Sequence, residues 1–71
     1  MKDSDRTIFW QRQCQYSEIN AASIERRRGY GTDLAGYIES LKKLANIAEA
    51  EGFDDSATYL RHIVDDLENM Q

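Results

Sequence analysis

A lone histidine, His62, and a lone cysteine, Cys14, are the side chains of this chain best suited to proton transfer and nucleophilic attack. Asp66 follows His62 by one helical turn, a spacing that allows a surface His–Asp pair. A general base also needs a second chemical partner and a pocket, and the sequence displays neither. Cys14 would need an adjacent cation or a helix N-terminus to become a thiolate. Arg12 is near in sequence but falls on another face of a helix. The expectation is that neither residue is catalytic: His62 is a surface residue and Cys14 a small apolar filler. Catalysis would require a cleft joining one of them to other polar groups.

The charged residues offer a second kind of chemistry. Glu49, Glu51, Asp54 and Asp55 crowd one short segment, but calcium-loop spacing and its closing glutamate are missing. Neither a metal nor a cofactor is therefore expected. Arg26-Arg27-Arg28 is the one basic run, placed where cations complement the negative end of a helix dipole. It could also contact an acidic partner. Residues 1–31 carry six basic side chains against four acids, for +2, whereas residues 32–71 carry nine acids against three basic ones, for −6. Direct nucleic-acid binding is disfavoured, since a phosphate-binding domain needs a basic face. A row built from Glu49, Asp54, Asp55, Asp65 and Asp66 could instead imitate nucleic acid and occupy the basic groove of an enzyme.

These residues must be positioned by helices. Proline is absent and no strand-like alternation occurs, so an all-α domain spanning residues 1–71 is expected. Helix one is placed at about 4–28, helix two at about 33–51 and helix three at about 55–70, with boundaries good to a few residues. Thr32 is the expected N-cap of helix two, after the Gly29-Tyr30-Gly31 break. Gly52 supplies the left-handed residue that ends a helix, with Phe53 folding back on the Ile47/Ala48 turn. Asp54 or Asp55 then offers a carboxylate to the next helix's free N–H groups. So short a connection makes helices two and three an antiparallel hairpin.

Each helix has a stripe at alternating steps of four and three. In helix two it is Leu34, Ile38, Leu41, Ala45 and Ala48, widened by Tyr37 and Leu44. In helix three it is Ala57, Leu60, Val64 and Leu67, widened by Ile63 and Met70. That rhythm predicts coiled-coil-like packing. Gly36 breaks into helix two and is read either as a tolerated surface glycine or as the mark of a close crossing. Helix one keeps the rhythm through Trp10, Cys14, Ser17, Ala21 and Ile24, while Ile8, Phe9, Tyr16 and Ile19 point elsewhere on its wheel. It could dock on the hairpin or reach to another molecule.

The segment Ala48-Glu49-Ala50-Glu51-Gly52-Phe53, followed by Ala57, resembles hairpin turns of ferritin-like proteins such as rubrerythrins. Their iron sites use Glu-x-x-His pairs, but Tyr59 stands three before His62, so no iron site transfers. The functional expectation is a non-enzymatic protein-interaction or regulatory module offering a helical surface to a partner or to its own copy. Phe9, Trp10 and Tyr16 are the expected anchors, with Arg26, Arg27 and Arg28 as charged contacts. A compact acidic inhibitor of a nucleic-acid enzyme, of the kind mobile elements encode, is the alternative. A chain this short buries a modest share of its surface, so a homodimer is expected. No secretory leader pattern, membrane-length apolar run or paired cysteine is visible, and a cytoplasmic setting is expected.

Overall fold

The computed structural model describes residues 2–26 and 33–70, and all its regular elements are helices. They are α1 (Lys2–Arg26), α2 (Leu34–Ala50) and α3 (Asp54–Glu68). Arg27, Arg28 and Thr32 lie outside the described residues, as do Gly29, Tyr30 and Gly31.

The observed N-cap of α2 is Asp33, whose carboxylate accepts from the Gly36 amide at 2.9 Å. That bond explains Gly36. A Cβ built there would lie 2.7 Å from Asp33 Cγ and closer still to its Oδ2, so the glycine makes room for the cap. Neither earlier reading of Gly36, a tolerated surface residue or a close helix crossing, is needed.

The α2–α3 connection is a Schellman motif. Gly52, at φ +90°, donates to Glu49 O at 3.0 Å, and Phe53 donates to Ala48 O at 2.9 Å. Phe53 is also the N-cap of α3, without a side-chain capping bond. The expected capping by Asp54 or Asp55 is therefore corrected: both sit in the first turn, where they complement the dipole.

The hairpin is antiparallel, as its cross-links demonstrate. Near the turn Arg61 donates to Glu49 at 3.0 Å and to Asn46 at 3.1 Å; toward the open end Lys42 meets Glu68 at 3.0 Å. Between these bridges the two stripes close on each other. Ile38, Leu41, Ala45 and Ala48 of α2 and Ala57, Leu60, Ile63, Val64 and Leu67 of α3 are buried. Ala45, Ala48 and Ala57, near the turn, are at most 1% exposed, so α2 and α3 approach closely there.

Helix α1 completes the bundle and rests mainly on α3. Its contacts climb both helices in the same direction, from Cys14 against Ser56 to Glu18 against Tyr59. Trp10 and Ser17 are buried, and Cys14, Ala21 and Ile24 pack against the core. The five residues that keep the four-three rhythm thus form the inner face of α1. No described helix is long and apolar enough to cross a membrane.

Candidate functional site

The start of α1 is fastened over the hairpin turn by one carboxylate. Glu51 Oε1 accepts from the Trp10 indole N–H at 3.0 Å and from Arg6 Nη2 at 2.7 Å; Glu51 Oε2 also takes Arg6 Nη2 at 2.7 Å. Trp10 is only 1% exposed, so its N–H needs an acceptor and Glu51 provides it. Hydrogen bonds from Arg6 first, and from Trp10 next, hold the Glu51 carboxyl below the usual carboxylate range. Phe9 stacks edge-on to Trp10 with centroids 5.1 Å apart, while the Arg6 guanidinium lies 4.5 Å above the Phe9 ring. Phe53 lies on Trp10 as well, with ring centroids 6.3 Å apart.

Trp10 is therefore part of the core of a single chain, and not a free surface anchor. Phe9 and Tyr16 remain outside, at 38% and 55% exposure, together with Ile8 at 47% and Ile19 at 64%. At about 100° per residue these four side chains fall within roughly 100° of arc, nearly opposite the Trp10–Ser17–Ala21 face. Arg12 sits in the middle of that arc and is exposed. Asp5, Ile8, Phe9, Arg12, Gln13 and Tyr16 enclose a depression of about 410 Å³ on this outer face. Ile8 and Ile19 lie off the inner stripe and outside the expected set of anchors. Their wheel angle was the available signal.

A second depression, about 450 Å³, lies between α1 and α3. It brings His62 beside Glu18, Glu25, Tyr59 and Asp66, so a cleft does join the histidine to polar groups. Among the described residues no hydrogen bond or ion pair holds the His62 ring, and the anticipated His62–Asp66 pair is not formed. Tyr59 instead donates to Glu18, and that bond, followed by burial, raises the phenol above its ordinary range. The Cys14 thiol points at Ser56 O at 3.9 Å, and burial pushes its pKa up, opposite to what a nucleophile needs.

The acidic half of the chain is partly neutralised. Glu49 is held by Arg61, Glu51 by Arg6 and Glu68 by Lys42. Asp54, Asp55, Asp65 and Asp66 are exposed around α3, and Asp66 turns toward the α1–α3 depression. Arg26 ends α1 as an exposed cation. Comparisons with protein-family models, with curated proteins and with solved structures find no match to this chain.

Proposed function

We propose that this protein is a non-enzymatic interaction module that presents the outer face of α1 to a partner helix. The observation that supports this reading is the double-sided character of α1. One stripe completes the bundle, and a second, carrying Ile8, Phe9, Tyr16 and Ile19, stays 38–64% exposed. Scattered single apolar residues are ordinary on a surface, but four that share one side of a helix, on both sides of Arg12, support docking there. Tyr16 and Phe9 are of the type that anchors interfaces, and Arg12 adds a central cation that also stacks on aromatic rings.

The test is capture from native extract with the full chain immobilised, in parallel with an Ile8→Ser/Tyr16→Ser/Ile19→Ser variant. A partner held by apolar contacts should stay bound at about 0.5 M salt, where the Debye length is only a few Å. It should be lost from the triple variant. Retention that ignores those substitutions but collapses with salt, and with removal of Asp54, Asp55, Asp65 and Asp66, would overturn the proposal. Carboxylate mimicry of nucleic acid would then take its place.

A further inference from the structure

We infer that the outer face of α1 pairs with the same face of a second copy, antiparallel, about an axis level with residue 14. The inference rests on the interaction reading above and names its partner.

The shape of the outer depression carries the argument. Asp5, Ile8, Phe9 and Arg12 stand at i, i+3, i+4 and i+7, and so do Phe9, Arg12, Gln13 and Tyr16. Four residues at that spacing make the hole that receives a knob from a facing helix. The depression is thus two successive holes in one row. The knobs that fit lie further along the same stripe. Run antiparallel, Ile19 of the second copy enters the first hole, and Tyr16, three residues earlier, enters the second. Both insertions give one register, in which the numbers of facing residues sum to about 28. In that register Phe9 also returns to Ile19, so each chain supplies knobs and holes alike.

Charge selects the same arrangement. A parallel pair would set Arg12 against Arg12, Asp5 against Asp5 and Arg26 against Arg26. The antiparallel register lays Arg12 beside the face of Tyr16 and places Asp5 opposite Ser23, one turn from Arg26. Pairing of hairpin with hairpin is opposed by the charge of −6 on residues 32–71. The outer face of α1 is free of that excess, with Arg12 and Arg26 against Asp5. One helix pair falls at the small end of interface sizes, so a dissociation constant in the micromolar range is expected.

Sedimentation equilibrium of the full chain from about 5 to about 500 µM should show monomers passing to dimers. Ile19→Asp should raise the dimer dissociation constant at least about 100-fold, because the two-fold axis counts each substitution twice. Circular dichroism must show its helix content and monomer melting unchanged, as an exposed residue requires; Tyr16→Ala serves as a second variant. In a Cys14→Ser background, mixed Asp5→Cys and Ser23→Cys chains should oxidise to the 5–23 disulfide in preference to 5–5 or 23–23. A chain monomeric throughout, a dimer indifferent to both outer-face variants, or dominant 5–5 cross-links would overturn the inference. A monomer that still loses a captured protein on the triple substitution would refute the second copy while leaving the interaction face intact.

Discussion

Replacing Trp10 by alanine separates a core residue from a surface anchor. Trp10 is 1% exposed, and a buried indole removes about 200 Å² from water, worth about 5 kcal/mol at ~25 cal/mol per Å². Large-to-small substitutions of Trp in cores cost about 3–5 kcal/mol. A chain of 71 residues has roughly 4–10 kcal/mol of stability in all. Trp10→Ala should therefore lower the melting temperature by at least about 12 °C, taking about 4 °C per kcal/mol as the lower bound for this size. The loss should include α1 coming away from the hairpin turn, since Arg6 and Glu51 would be left without the indole between them and the core. Trp10→Phe keeps a ring against Phe9 and Phe53 and should lose only about 1–2 kcal/mol. Thermal and urea unfolding followed by circular dichroism reads both, at one fixed concentration so that association does not intervene. In the wild type the sole tryptophan should emit as a buried indole. A Trp10→Ala chain melting within about 4 °C of the wild type, yet failing to associate, would refute the core assignment.

Three further outcomes follow from the geometry of the turns and charges. Gly52→Ala should destabilise by about 1–2 kcal/mol in thermal melts, with Gly52→Asn milder, because φ is +90° while no neighbour obstructs a Cβ. Gly36→Ala should be nearly neutral in the wild type, where ~1 kcal/mol of helix propensity is offset by displacing the Asp33 cap; in an Asp33→Ala background the same change should stabilise by ~1 kcal/mol. Glu49 and Glu51 have lowered folded-state pKa values, so their contribution is present above the unfolded carboxylate range and is lost as pH falls through the folded values. Melting temperature should thus decline below about pH 4, and a Glu49→Gln/Glu51→Gln chain should decline less steeply.

The helices and their inward faces were readable along the chain because they are local properties. Spacing of Leu34, Ile38 and Leu41, or of Leu60, Val64 and Leu67, assigns a face without knowledge of what covers it, and each of these residues is found against the core. Gly52 was legible for the same reason, since a left-handed residue after a helical run has few other uses. Capping was less legible: Asp33, Asp54 and Asp55 all have suitable side chains, and backbone geometry alone separates the first from the others.

The side of α1 that carries the exposed aromatics could not be weighed until its docking was known. A helix with apolar residues nearly all round fits either a buried element or a bridge between molecules, and its wheel does not rank the two faces. Long-range bonds made the choice. Glu51 lies 41 residues from Trp10 and 45 from Arg6, separations over which sequence pattern carries no pairing signal, yet these contacts pin one face of α1 to the turn. Periodicity sets what a helix must hide, whereas the partner's shape and its polar acceptors select which of two oily stripes goes inside and which is left for another molecule.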